Sequence, residues 1–204
     1  MIPYKKEHLP TTSPKYSKLP LDWQYITIHN TGNPKSTARN ERNYLTNPTN
    51  KTTTGFHIVL DSTEAIECLP LNVVAWHAGD GQNDNGNRKS IGIEFCESGD
   101  FEKTFTEGAR IVAELLNSKG YDIDRIKKHK DWSGKQCPRL IIPRWDEFIS
   151  LVRSNMMPEW ERVLDRKLTS ADEWVEVIAS RIAHGKAVDS IEQYFGEFIV
   201  KLTK

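Results

Sequence analysis

From residue 20 to residue 154, short runs of two-residue apolar period alternate with longer runs of helical period. Such interleaving confines the chain to an α/β domain in which one sheet lies between helical layers. The first run, Trp23–His29, sets Ile26 and Ile28 against Tyr25, Thr27 and His29, the pattern of a strand with two unlike faces. Further strands are expected at Phe56–Leu60, Val73–His77 and Ser90–Phe95, with a short one around Ala65–Leu69. Between Gly79 and Lys89 the chain is polar and glycine-rich, which reads as an exposed loop. Helices are expected over Thr37–Leu45, from a Thr104-x-x-Glu107 capping box as far as Gly120, and after Pro143, where Trp145, Phe148, Ile149 and Val152 share a face. The expected fold is a single central mixed β-sheet flanked by helices, within residues 1–154.

The composition changes near Ser154–Pro158, and beyond it only helical patterns remain. Ser170-x-x-Glu173 opens one helix bearing Trp174, Val177, Ile178 and Ile182, and a second carries the stripe Val188, Ile191, Phe195, Phe198 and Leu202. Residues 158–204 are therefore expected to be a small helical module whose apolar stripe needs a partner. At the other end, the first twenty residues are polar, with Pro3, Pro10, Pro14 and Pro20, and read as an arm laid over the domain surface.

Charge narrows the partners. Lys+Arg and Asp+Glu number 28 each, so there is no electrostatic case for a nucleic-acid partner or an anionic membrane. The opening MIPYKKEHLP lacks the apolar core of a secretory leader, and no later stretch approaches a membrane span. A soluble chain made in the cytoplasm, without stable membrane anchoring, is the expectation. Cys68, Cys96 and Cys137 are odd in number and far apart, which favours free or metal-bound thiols over a disulfide framework.

His129 and Cys137 share one stretch with Ser133-Gly134 between them, a spacing suited to a loop that folds back on itself. Imidazole and thiolate together suit zinc, which accepts mixed nitrogen and sulfur ligands. His29 is the leading third ligand, because its strand ends there and the chain turns at Asn30–Pro34. The bland readings are a hydrogen-bonded surface histidine and a small buried cysteine. Glu94 alternates with Ile91, Ile93 and Phe95 on its strand, beside only Gly92 and Cys96, so it is either on a solvated face or a general base.

Five blocks then occur in one order: Tyr25–Gly32, Gly55–Val59, Ala75–Gly79, Ser90–Glu94 and His129–Pro138. Together they closely resemble the type 2 N-acetylmuramoyl-L-alanine amidases, relatives of the peptidoglycan recognition proteins, over roughly residues 20–150. The resemblance implies a Zn2+ enzyme acting on peptidoglycan (muropeptide), cutting between the lactyl group of N-acetylmuramic acid and L-alanine. It implies His29, His129 and Cys137 as metal ligands and Lys135 as the group stabilising the oxyanion. Some such enzymes carry a tyrosine before the histidine of the second strand. Here that position is Phe56, a departure that shifts weight to Glu94 as the base. His77 either assists catalysis at the substrate or is held as structure, while His57, Cys68 and Cys96 read as structural.

Without a leader, such an enzyme fits a phage or prophage lysis protein, made in the host cytoplasm and acting on the wall after release, with residues 158–204 attaching to wall or spore surface. Two rivals stand beside this. A non-catalytic peptidoglycan-binding relative would typically have lost a ligand, and a glycosidase would have no use for the metal triad. A zinc peptidase cutting within the stem peptide is the nearer alternative.

Overall fold

Six strands form one sheet: Tyr4–Lys6 (β1), Tyr25–Asn30 (β2), Ile58–Leu60 (β3), Ala65–Glu67 (β4), Ser90–Phe95 (β5) and Ile126–Lys128 (β6). The structure is a computed structural model and describes residues 1–156. Strand order is β1-β4-β3-β5-β2-β6, parallel throughout except for the β3–β4 pair. The helices are Ala38–Thr46 (α1), Asn85–Arg88 (α2), Phe101–Lys119 (α3), His129–Ser133 (α4) and Trp145–Met156 (α5). This is the mixed sheet flanked by helices that the sequence pattern calls for. The helical module expected at residues 158–204 lies outside the described residues.

The alternation in β2 and β5 sorts side chains onto two faces. Ile26, Ile28, Ile91, Ile93 and Phe95 pack against Phe105, Ala109, Val112 and Leu116 of α3 and Phe148 and Val152 of α5. Each large side chain buried there contributes ~1.5–3 kcal/mol, and Phe95 and Phe105 both meet Phe148 edge-on. The opposite face carries Val59, Ile66, Cys68 and Cys96 under Ala38 and Leu45 of α1. Thr27, His29, Gly92 and Glu94 belong to this second face by the same alternation. Covering on both faces explains why β2 and β5 are buried almost throughout.

Several local expectations are corrected. Val73–His77 is not a strand, since only the isolated bridges Pro20↔Val73 and Thr54↔Trp76 involve it. The segment crosses the sheet's polar face as a strap, and its backbone bonds to a side chain, with His77 N and Ala78 N both donating to Asn87 Oδ1. The long helix α3 starts one turn before Thr104, because Asp100 accepts from Lys103 N and caps it. Thr104 is itself buried within that helix. The polar segment after Gly79 is not uniformly exposed: it contains α2, where Gly86 and Asn87 are buried. The N-terminal arm contributes β1 and buries Ile2 and Leu9.

The strand expected from Phe56 is β3 and begins at Ile58, and His57 just before it is a tie between segments. Its Nε2 donates to Val73 O at 2.9 Å and its Nδ1 accepts from Gly92 N at 2.9 Å. Burial pushes its pKa down to about 4, from 6.5. The unfolded ring takes up a proton first as pH falls, so this ring's contribution is full above pH 6.5. It is lost between 6.5 and 4, by about 3 kcal/mol. In urea unfolding of chelator-treated protein across that window, His57→Gln is expected to flatten the pH slope by about one proton. An unchanged slope would contradict this.

Candidate metal centre

Strand pairing places the first two candidate ligands. Ile28 of β2 stands opposite Lys128 of β6, so His29 and His129, each one residue further on, leave the sheet at the same level. His129 opens α4, whose start is fixed by Lys128 N donating to Asp131 Oδ2 at 2.8 Å. The loop after α4 folds back through Lys130 N donating to Cys137 O at 2.9 Å. Asn30 then clamps it: Oδ1 accepts from Leu140 N at 3.0 Å, and the backbone N–H donates to Cys137 Sγ at 3.4 Å. Arg139 forms a two-pronged ion pair with the buried Glu97, two residues beyond β5.

The result is that one ligand atom from each of His29, His129 and Cys137 lies within 4.8 Å of the other two, and all three residues are buried. His29 Nδ1 is 3.0 Å from His129 Nδ1 and 3.8 Å from Cys137 Sγ. Glu94 pairs with His29 in register, its Oε1 3.9 Å from His29 Nδ1. Its Oε2 is buried with no hydrogen-bond partner among the described residues. Lys135 is exposed, and its charge lowers the proton affinity of Glu94, His29, His129 and Cys137 alike.

Hydrogen bonds fix which nitrogen each ring presents. The Ser90 carbonyl can only accept, so His77 Nε2, 3.3 Å away, carries the proton and its Nδ1 is an acceptor. His29 Nε2, 3.0 Å from that Nδ1, must donate to it. Neutral His29 therefore has a bare lone pair on Nδ1. The Ala78 carbonyl raises the proton affinity of His129, whose Nε2 lies against Gly79, 3.4 Å from where a Cβ would stand, and whose Nδ1 faces His29 Nδ1 at 3.0 Å. The bare His29 Nδ1, the His129 Nδ1 and the Cys137 sulfur thus converge, an arrangement a soft divalent cation satisfies.

Electrostatics keep the centre neutral. Burial, then the neighbouring His77 and His129, hold His29 well below its ordinary pKa. Burial also pushes His77 down to about 3, and burial with Lys135 takes His129 to about 4. Burial raises Glu94 to about 8, with Glu41 adding and Lys135 opposing. Burial likewise raises the Cys137 thiol to about 11, against the Asn30 N–H bond. A bound cation would reverse the last two effects, since it favours carboxylate and thiolate over their neutral forms.

Of the six candidate residues, His29, His129, Cys137 and Glu94 meet directly, and Lys135 acts on them by charge. His77 stands behind the centre. Its ring is buried, both ring nitrogens have protein partners, and it packs on Gly92, where a Cβ would lie 2.7 Å from the ring. Gly92 is small because the His77 ring occupies its place. Sequence reasoning missed Asn30 and Trp132, whose side chains hold Leu140 N and Thr27 Oγ1 beside the centre. No period or motif announces either of them.

A family model described as N-acetylmuramoyl-L-alanine amidase matches residues 19–140. The chain is 43% identical to N-acetylmuramoyl-L-alanine amidase XlyB of Bacillus subtilis (strain 168), over 76% of this chain and 50% of that protein. It is 36% identical to CwlH of the same organism, over 79% of this chain and 65% of that protein. The chain thus spans about half to two thirds of the length of these curated relatives. Among solved structures, the catalytic domain of XlyA superposes with a TM-score of 0.69 at 38% identity, over 73% of this chain and 98% of that one. A mutant endolysin from Bacillus subtilis gives 0.71 at 37% identity, over 74% and 99%. The match over more than half of its length, on the stretch that builds this centre, means that the chain belongs to the N-acetylmuramoyl-L-alanine amidase family.

Proposed function

We propose that the chain is a zinc-dependent hydrolase of the amide bond between N-acetylmuramic acid and L-alanine in peptidoglycan. The observation that carries the reading is the convergence of two imidazole nitrogens and a thiol beside a buried carboxyl group with an unpartnered oxygen. His29 and His129, through Nδ1, and Cys137, through Sγ, would hold the ion. When bound, zinc supplies Lewis acidity to the scissile carbonyl and acidifies water.

The chain's own residues supply the rest. Glu94 takes a proton from the attacking water and passes it to the leaving nitrogen, and its unpartnered Oε2 is the free acceptor for that proton. Lys135, exposed beside Glu94 and the ligands, stabilises the oxyanion as the carbonyl is attacked. His77 orients His29 rather than touching substrate, because both of its ring nitrogens are taken. Phe56 carries no hydroxyl, so the second strand offers no tyrosine to share the work.

Digestion of purified wall followed by end-group analysis tests the reaction. New alanine amino termini without new reducing ends are expected. New reducing ends would mean a glycosidase, and amino termini from within the stem would mean a peptidase.

The site of action is the cell wall, reached after release, and residues 158–204 serve attachment to it. No helix of the described residues is long and apolar enough to cross a membrane. Truncation after Met156 is expected to leave a folded, zinc-loaded enzyme that cuts soluble muropeptides at the full-length rate while sedimenting poorly with intact walls. Equal sedimentation of both forms would remove the attachment role.

A further inference from the structure

The polar segment after Gly79 has no part in the reading above, yet it carries a buried side chain. Asn87 is 4% exposed. Its Oδ1 accepts from two successive backbone groups, His77 N at 2.8 Å and Ala78 N at 2.9 Å, and its Nδ2 donates to Gly81 O at 2.8 Å. The two N–H donors fix which end of the amide is oxygen. Beside it, a Cβ on Gly86 would lie 2.6 Å from Ala78 Cβ, so α2 presses directly on the strap.

Of the two residues that Asn87 holds, one bonds a ligand histidine from behind and the other precedes the glycine that packs on the second. The His77 ring accepts from His29 Nε2 at 3.0 Å, and Ala78 leads into Gly79, which lies against His129 Nε2. A second chain of bonds ties the same parts together. Trp132 Nε1 donates to Thr27 Oγ1 at 2.9 Å, Thr27 is 2.6 Å from Ser90 Oγ, and Ser90 donates to Gly86 O at 2.5 Å. An indole that only donates and a carbonyl that only accepts set the direction of the whole chain.

We infer that Asn87 is a positioning residue of the metal centre: its amide fixes residues 77 and 78 so that the His77 ring holds His29 with Nδ1 toward the ion and Gly79 stays packed on His129. The inference rests on the metal reading proposed above. A loop asparagine with a merely local role would stabilise the segment without changing metal affinity. A positioning residue sets that affinity, because ligands free to rotate or change tautomer bind more weakly.

The test uses the full chain and the zinc dissociation constant from competition with a chromophoric chelator. Asn87→Ala is expected to weaken zinc ~10- to 100-fold, the usual cost of losing an outer partner of a metal ligand. Asn87→Asp keeps an acceptor for both N–H groups but loses the bond to Gly81 O, so it should fall between wild type and Asn87→Ala. Gln82→Ala, on the exposed part of the same segment, should match wild type. Cobalt-loaded Asn87→Ala should retain the thiolate-to-metal absorption band, since the ligands themselves are intact. Wild-type zinc affinity in Asn87→Ala would overturn the inference while leaving the metal reading standing. If the alanine variant does not fold, Asn87→Asp decides: several-fold weaker zinc supports the inference, and wild-type affinity overturns it. A wild-type chain that binds no zinc would overturn the metal reading itself.

Discussion

Cys137→Ser and His129→Ala are each expected to leave a folded chain that holds no zinc and hydrolyses no wall. The ligands lie on the polar face of the sheet, apart from the packed layer of Ile28, Ile93, Phe105 and Phe148, so their removal spares the main core. Replacing sulfur by oxygen removes the ligand that best suits a borderline-soft ion. Loss of the Lewis acid forfeits several kcal/mol of transition-state stabilisation, so turnover should fall by ~10³-fold or more. Metal analysis of the purified variants, beside release of alanine amino termini, checks both halves. A full complement of zinc in either variant would show that the ion sits elsewhere.

Glu94→Gln and Lys135→Ala are expected to separate holding the metal from using it. Both should purify with zinc bound and lose on the order of 10²-fold in turnover, since proton transfer and oxyanion stabilisation are each worth about that much. Glutamine preserves the shape of Glu94 and its place beside His29 but cannot accept the proton. Lys135→Arg should recover part of the loss, because charge near the carbonyl is what matters. Near wild-type turnover in Glu94→Gln would assign the base to another group and remove the weight placed on Phe56. Loss of zinc in either variant would make these residues structural supports of the ligands.

Much of this was legible because period-two alternation is a strong signal in a two-faced strand. The isoleucines of β2 and β5 announced one face and thereby assigned His29 and Glu94 to the other. Val73–His77 misled because its apolar run mimics a strand, whereas its partners are the Asn87 amide and the loops. A hydrogen bond to a distant side chain leaves no periodicity. β1 and β6 are three residues each, too short to show a period, yet β6 is what brings His129 level with His29. The start of α3 was misplaced because two capping signals lie four residues apart, and Asp100 prevails over Thr104 when Phe101 and Phe105 both pack inward. His77 shows the limit most plainly. Its residue type suits catalysis, and only the bonds to His29 and Ser90 place it behind the ligand.

The most direct measurement is to strip the wild-type chain with a chelator, add zinc back in steps, and follow release of alanine amino termini from purified wall. Activity should start at the background level, rise in proportion to added zinc, and level off at about one ion per chain, the stoichiometry of a three-ligand catalytic site. Full release by the stripped protein, or no recovery at one equivalent, would contradict the account.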